Sequence, residues 1–73
     1  MSEPLDLKGL KCPMPALLAR RALARAQPGE EIEVVADDPM AAVDIPHMCH
    51  HEGHAVLSLS RDDEITRFRL RRG

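Results

Sequence analysis

The sequence predicts an α+β fold, a two-layer α/β sandwich in which a four-stranded mixed sheet carries two helices on one face. Three observations lead to this prediction. Alternating apolar and polar residues suit strands, and breaker-free stretches with apolar residues every three or four positions suit helices. Proline and glycine separate these stretches in the order strand, helix, strand, helix, strand, strand (βαβαββ). Right-handed crossovers then place both helices on the same face of the sheet.

The first half of the chain contains two predicted strands with a helix between them. The first strand candidate covers residues 5–8, and the helix covers residues 13–26. The helix has an apolar stripe that should face the core, made of Leu18, Ala19, Ala22, Leu23 and Ala26. Residues 31–36 form the second strand, and Val35 interrupts its polar alternation, which is typical of an interior strand covered on more than one side.

A second helix follows, for which Asp38 is the expected N-cap and Pro39 the first helical residue. It should run to about Glu52, with Gly53 ending it. Pro46 lies inside this helix and should kink or split it. The apolar stripe of the helix consists of Ala41, Ala42, Ile45, Met48 and Cys49.

The last two strands are predicted to form a hairpin. Residues 55–60 are strand-like, and residues 61–63 form the expected turn. Residues 65–71 then alternate between the two faces of a strand. The core face is expected to carry Thr66, Phe68 and Leu70, and the solvent face Arg67, Arg69 and Arg71.

The composition indicates one soluble domain spanning residues 1–73. The net charge is −2, and the chain has no Trp or Tyr and a single Phe. Base stacking on aromatic platforms is therefore nearly excluded, and no direct nucleic-acid binding is expected. Two cysteines are too few for a disulfide framework, which favours a reducing compartment. Because neither a signal peptide nor a membrane-spanning stretch is recognisable, we expect a cytoplasmic protein without membrane contact.

Cys12 is the first candidate for chemistry, because it lies where the first strand ends and the first helix begins. The helix N-terminus and Lys11 should both stabilise a thiolate there, and so lower the pKa of the thiol. The alternative is a small buried side chain that fills the cap. No CxxC pair and no recognisable triad accompanies Cys12, which leaves single-thiol group transfer as the chemistry.

A group of histidines marks the second predicted helix. On a helical wheel His47, His50, His51 and, if the helix extends so far, His54 share a face with Asp44. A histidine pair with i, i+4 spacing can bind zinc or nickel. The alternative is a solvent-exposed helix face that happens to be rich in histidine. We adopt this alternative and assign no metal site. Gly53 should also turn His54 away from this face.

Two further sets of residues are candidates for contact with a partner. Met14 and Leu17 lie off the core stripe of the first helix, close to Cys12, and Arg21 follows on the same side. These three are the candidate docking residues for a protein partner or a second copy of the chain. The wider set of arginines forms either a solvated face or a surface for an acidic partner or RNA phosphates: Arg20, Arg21, Arg25, Arg67, Arg69, Arg71 and Arg72.

Several segments occur in a recognisable order: Gly9-Leu10-x-Cys12-Pro13-x-Pro15 after a short strand, then Pro28-Gly29-Glu30, then Asp37-Asp38-Pro39. In this order they resemble the TusA-like (SirA-like) family of sulfur carriers. Asp44-Ile45-Pro46, Cys49 and His54 look like the TusA branch of that family. The resemblance covers residues 5–72, and it assigns no role to the other histidines.

The resemblance implies a βαβαββ fold and a sulfurtransferase that carries sulfur as a persulfide on Cys12, with no cofactor. Gly9, Leu10, Pro13 and Pro15 would support that cysteine, whereas Cys49 would carry no sulfur. A cysteine desulfurase would donate the sulfur, and a sulfur-relay protein would accept it. In the TusA branch the sulfur ends in the 2-thio group of wobble uridine in certain tRNAs.

Other destinations and other functions remain as alternatives. Other family members supply molybdenum-cofactor assembly or sulfur oxidation. A non-enzymatic regulatory or interaction module of the same fold would use Cys12 only as a cap residue. A metal-binding protein would instead use the histidine face.

Overall fold

The computed structural model describes residues 4–73, which form a sheet of four strands and two helices packed on it. The elements are β1 (Leu5–Asp6), α1 (Met14–Arg25), β2 (Glu31–Ala36), α2 (Ala41–Glu52), β3 (Ala55–Asp62) and β4 (Ile65–Arg71). The strand order is β1-β2-β4-β3, with β1 parallel to β2 and β4 antiparallel to both of its neighbours. The predicted βαβαββ sandwich with a mixed sheet is confirmed. Neither helix in this part of the chain is long and apolar enough to cross a membrane.

The strand β2 lies inside the sheet, between β1 and β4. Val34, Val35 and Ala36 are consecutive and all buried. Side chains alternate between the two faces of a strand, so burial of three in succession requires cover on both faces. The interior position predicted from Val35 is confirmed.

The core lies between the sheet and the helices. Its largest fully buried side chains come from both layers and include Leu23, Ile45, Phe68 and Leu70. Full burial of an aliphatic or phenyl side chain of this size contributes about 1.5–3 kcal/mol. The predicted stripe of α1 faces this core, with Ala19, Leu23 and Ala26 buried and Leu18 and Ala22 half-buried.

Helix α2 runs without interruption past Pro46, so the split predicted for this proline as the alternative to a kink does not occur. A proline inside a helix costs about 3 kcal/mol, since it removes one hydrogen bond and crowds the preceding turn. The neighbouring side chains of Ile45, Met48 and Cys49 are buried, and their packing holds the helix together on the sheet. Gly53 ends the helix as expected, in the left-handed conformation with φ +82°.

The turn of the β3–β4 hairpin begins two residues later than predicted. Strand β3 extends to Asp62, and the turn consists of Asp63 and Glu64. Asp63 has φ +62°, a conformation that aspartate tolerates better than most residues and that a two-residue hairpin turn requires. The alternation in β4 is as predicted, with buried Thr66, Phe68 and Leu70 between exposed arginines.

Candidate functional site

The parallel pairing of β1 and β2 places the loops after both strands at one edge of the sheet. Asp6 is opposite Val35, and Leu7 continues the pairing by donating its amide hydrogen to the Val35 carbonyl at 2.7 Å. The paired strand ends before the predicted residue Lys8, whose amide turns back to the Asp6 carboxylate at 3.0 Å. The loop that leads to α1 therefore lies beside the loop that leads to α2.

Two adjacent carboxylates from the second loop hold the first loop in place. The amide of Gly9 donates to Asp37 Oδ1 at 2.9 Å, and the amide of Cys12 donates to Asp38 Oδ2. The other oxygen of Asp38 accepts from the amide of Met40 at 3.2 Å. Asp38 is buried, so its charge is balanced chiefly by these backbone donors. The Cys12 backbone is thus fixed by contacts that the sequence analysis did not foresee.

The prediction that Asp38 caps α2 is wrong. The helix begins at Ala41, with Met40 at the N-cap position and no side-chain capping bond. Asp38 and Pro39 instead form the turn before the helix, in which the Ala41 amide donates to the Asp38 carbonyl at 2.9 Å. The carboxylate of Asp38 is directed at the Cys12 loop, because the parallel strands bring that loop within reach.

The residues expected to support Cys12 lie in and around the same loop. Gly9 has φ +86°, a conformation that favours glycine. Leu10 is half-buried and packs against the core. Pro13 occupies the N-cap of α1 after a cis Cys12–Pro13 peptide bond, and Pro15 is buried in the first turn. Helix α1 therefore starts one residue after the predicted start.

The thiol of Cys12 is exposed and contacts the first turn of α2. Its Sγ donates to Asp44 Oδ2 at 2.8 Å. The hydrogen bond to Asp44 raises the pKa of Cys12, and desolvation and the negative charges of Asp44 and Asp38 raise the pKa further. The predicted lowering of this pKa is wrong, because the thiol donates to Asp44 and lies close to the negative charges of Asp44 and Asp38. The alternative of a buried cap filler is also wrong, because the residue is exposed.

A groove of about 430 Å³ opens beside Cys12, between α1 and α2. Helix α1 contributes apolar surface at Ala16 and Leu17 and a positive charge at Arg20. Helix α2 contributes Asp44, His47, Met48, His51 and Glu52. The thiol is therefore accessible from a concave surface that combines apolar side chains with charged and titratable ones.

Only part of the predicted histidine face meets this groove. His47 and His51 line it together with Asp44, whereas His50 is exposed and lies outside the lining. His54 follows the end of α2, as predicted from Gly53, and its Nδ1 accepts the amide hydrogen of Gly73 at 3.0 Å. Within residues 4–73, no group of three or more His, Cys, Asp or Glu side chains is arranged to hold a metal ion.

The three candidate docking residues are exposed, as the periodicity predicts. Met14 and Leu17 retain 42% and 46% of their surface, and Arg21 is also exposed. These side chains line a second groove along α1 with Leu18 and Arg20. Because Leu17 and Arg20 border both grooves, the apolar surface of α1 is continuous with the surroundings of the thiol.

Two members of the arginine set have structural partners. Arg69 pairs with Glu31 and Glu33 across the sheet, at 3.5 and 3.4 Å. Arg72 donates from Nη1 to the Ala26 carbonyl at 2.6 Å, which ties the C-terminal strand to the end of α1. The arginines in and after β4 are therefore not all available for contact with a partner.

The second cysteine, Cys49, belongs to the core. Its side chain is fully buried, and this burial raises the pKa of its thiol to about 11. Cys49 is protonated at neutral pH and inaccessible to a partner, in agreement with its predicted place on the apolar stripe of α2.

Asp44 is the site residue whose contact sequence reasoning missed. On the helical wheel Asp44 lies beside the histidines, and no sequence pattern connects it to Cys12. The contact depends on the tertiary arrangement, because α1 and α2 each follow one of two strands that the fold pairs in parallel. Helices that follow neighbouring parallel strands begin at the same edge of a sheet, which brings their first turns together.

Comparison with known proteins identifies the family. The family model described as sulfurtransferase TusA matches residues 3–72, nearly the whole chain. The chain belongs to the TusA family. Two relatives from Neisseria meningitidis, one from serogroup A and one from serogroup B, are described as candidate sulfur carrier proteins. Each is 44% identical over 64 residues, which cover 88% of this chain and 86% of the relative.

A solved structure has the same fold as this TusA-family chain. It is the crystal structure of a SirA-like protein from Desulfitobacterium hafniense, with a TM-score of 0.81 and 24% identity over 96% of both chains. TusA-family proteins are sulfur carriers or sulfurtransferases, and such carriers interact with a sulfur donor and a sulfur acceptor. The predicted resemblance to the TusA-like family is confirmed.

Proposed function

We propose that this TusA-family protein carries sulfur as a persulfide on Cys12. A cysteine desulfurase donates the sulfur, and a relay protein accepts it. The observation that carries the proposal is the placement of an exposed thiol in a groove continuous with exposed apolar surface on α1. A carrier must present the same sulfur atom to two partners in turn, which requires access from outside and a surface for protein contact.

The transfer is a thiol exchange that needs no cofactor in this chain. Cys12 Sγ forms a bond to the outer sulfur of the donor's persulfide, and the sulfur–sulfur bond of the donor breaks. The donor cysteine leaves as a thiolate, which is then protonated. In the second half-reaction the acceptor's thiolate attacks the outer sulfur on Cys12, whose own thiolate departs. No net oxidation or reduction occurs in either step.

Mass spectrometry of the intact protein tests the assignment. After incubation with a cysteine desulfurase and cysteine, the wild type should gain the mass of one sulfur atom, and a reductant should remove it. Cys12→Ser should gain none, and the matched control Cys49→Ser should gain it as the wild type does. Loading of Cys12→Ser, or no loading of the wild type, would contradict the proposal.

We propose 2-thiolation of the tRNA wobble uridine as the destination of the sulfur. The support is the family match together with the TusA-branch residues Asp44, Ile45 and Pro46. A deletion strain should lose 2-thiouridine from its tRNA, and wild-type but not Cys12→Ser protein should restore it. Intact 2-thiouridine in the deletion strain would redirect the proposal to molybdenum-cofactor assembly or sulfur oxidation, two alternatives that the sequence left open.

The raised pKa of Cys12 favours a second candidate, a regulatory or interaction module without sulfur transfer. In that case the thiol would react slowly with alkylating reagents at neutral pH and would accept no sulfur from a desulfurase. Slow alkylation combined with rapid sulfur loading would contradict this candidate, because the thiol would then be activated only within the donor complex.

A further inference from the structure

Asp44 occupies a fixed position in the first turn of α2. Its backbone amide donates to the Met40 carbonyl at 2.7 Å, and its side chain is half-buried at the edge of the groove. Asp44 Oδ2 lies 2.8 Å from Cys12 Sγ, in the position of an acceptor for the thiol hydrogen. The atom that would carry sulfur is thus in direct contact with a carboxylate.

This carboxylate has no other strong partner in the described part of the chain. The ion pairs formed among residues 4–73 join Lys8 to Asp6 and Arg69 to Glu31 and Glu33, and none includes Asp44. Arg20, His47, His51 and Glu52 are the other charged or titratable side chains that line the groove. Asp44 is therefore free to exchange a proton with the thiol without breaking an ion pair.

We propose that Asp44 is a catalytic residue that moves the proton during sulfur exchange at Cys12. This inference rests on the proposed sulfur-carrier function. As Sγ attacks the outer sulfur of the donor's persulfide, the S–H proton passes to Asp44. The donor's sulfur–sulfur bond breaks, and the protonated Asp44 gives that proton to the departing thiolate. One thiol and one persulfide are consumed, and one persulfide and one thiol are produced.

The resting state of the thiol explains why an acceptor is needed. Only the thiolate is a nucleophile, and the contact with Asp44 raises the pKa of Cys12, so the thiol form predominates at neutral pH. The proton must leave Sγ as the new bond forms, and Asp44 Oδ2 is the acceptor in contact with it. General acid–base catalysis by a group at this distance typically contributes 10²–10⁴-fold, roughly.

The variant Asp44→Asn separates proton transfer from simple control of the pKa. Asparagine has nearly the shape of aspartate and can still accept a hydrogen bond from the thiol, but it cannot take up a proton at neutral pH. Loss of the negative charge should lower the pKa of Cys12. Alkylation of Cys12 by iodoacetamide at neutral pH should then be several-fold faster than in the wild type.

Sulfur transfer should change in the opposite direction. The rate at which Asp44→Asn gains sulfur from the desulfurase, or from a low-molecular-weight persulfide, should fall about a hundredfold. Glu64→Gln, which removes one negative charge at the distant β3–β4 turn, should leave both rates as in the wild type. Circular dichroism and urea titration establish whether Asp44→Asn is folded, and Asp44→Glu, which retains a carboxylate, should recover part of the transfer rate.

The possible results are distinguishable. Faster alkylation with slower transfer supports Asp44 as the proton carrier. Transfer that is faster or unchanged in folded Asp44→Asn overturns this role and leaves the carrier function intact. If Asp44→Asn does not fold, Asp44→Glu decides the matter. A transfer rate between those of Cys12→Ser and the wild type supports the role of the carboxylate, and a rate no faster than that of Cys12→Ser in a folded Asp44→Glu overturns it. A wild type that accepts no sulfur from either donor overturns the carrier function itself, and the role of Asp44 with it.

Discussion

The carboxylate of Asp38 accepts the backbone amide hydrogen of Cys12. Through this bond the loop before α2 determines where the loop before α1 places its thiol. The second oxygen of Asp38 accepts from Met40 in its own loop. One buried side chain therefore joins the two segments that form the site.

Replacement of Asp38 should destabilise the fold and loosen the site. Asp38→Ala loses both hydrogen bonds, and each bond to a charged acceptor contributes about 1.5–3 kcal/mol. We expect the free energy of unfolding, measured by urea titration, to fall by at least about 1.5 kcal/mol. Asp38→Asn, with one oxygen left, should lie between Asp38→Ala and the wild type.

Asp37→Asn is the matched control for this comparison. Asp37 uses a single oxygen, Oδ1, to accept from Gly9, and asparagine retains such an oxygen. The free energy of unfolding of Asp37→Asn should stay close to that of the wild type. Equal losses in Asp37→Asn and Asp38→Ala would mean that charge alone, rather than the bonds to Cys12 and Met40, stabilises this region.

Gly9→Ala should lower stability through the backbone alone. Gly9 has φ +86°, and no atom beyond Gly9 and its two chain neighbours lies within 4 Å of the position that a Cβ would occupy. The cost is therefore the left-handed conformation itself, about 1–2 kcal/mol for a residue with a side chain. Gly9→Asn should lose less, because asparagine enters this region more readily. Equal unfolding midpoints for Gly9→Ala and the wild type would show that the loop has relaxed to another conformation.

The buried thiol of Cys49 should make the protein less stable at alkaline pH. In the folded chain its pKa is about 11, whereas in the unfolded chain a thiol titrates near its ordinary value, about 8.5. Above that ordinary value the unfolded state releases the proton and the folded state does not, so stability falls as pH rises. The loss should amount to about 2 kcal/mol at pH ~10.

Cys49→Ala isolates this effect. The variant is less stable at neutral pH because a buried sulfur is lost, but its free energy of unfolding should fall less than that of the wild type between pH ~8.5 and ~11. Parallel curves for the two proteins across this range would contradict the assignment of the alkaline loss to Cys49.

Leu17 should contribute to loading without contributing to stability. Its side chain is 46% exposed beside the groove that contains Cys12, so Leu17→Ser should unfold close to the wild-type midpoint. If α1 contacts the desulfurase, the rate of loading at low protein concentration should fall about tenfold, as for a central interface residue.

Leu59→Ser provides the comparison for Leu17→Ser. Leu59 is similarly exposed, at 44%, but it lies on the edge strand β3. Loading of this variant should match the wild type. A similar decrease in both variants would locate the contact elsewhere or indicate a general effect of reduced surface hydrophobicity.

The fold was predictable because its main signals are local. The spacing of Leu23 in α1, Ile45 in α2 and Phe68 in β4 reports which side of each element faces the core, and all three are fully buried. Errors occurred where tertiary contacts override local preference. Pro46 does not break α2 because its neighbours pack on the sheet, and Asp38 does not cap α2 because a distant amide binds its carboxylate.

The site was predictable only in part. The place of Cys12 at the strand-to-helix junction was predictable, but the junction alone left open whether the thiol is exposed or buried, and the pKa of the thiol depends on what lies opposite. Asp44 is far from Cys12 in the chain and reaches it only through the side-by-side arrangement of β1 and β2. Since strand order could not be read from the sequence, neither the contact nor the direction of the pKa shift could be inferred.

The alignment of β1 with β2 also links the lengths of the two loops that follow them. Asp6 is opposite Val35, and from these positions the chain must reach Cys12 on one side and Asp38 on the other. Deletion of one residue from either loop would move one partner of this hydrogen bond out of register. Insertions and deletions in the two loops are therefore coupled, and only a compensating change in the second loop could restore the bond after a change in the first.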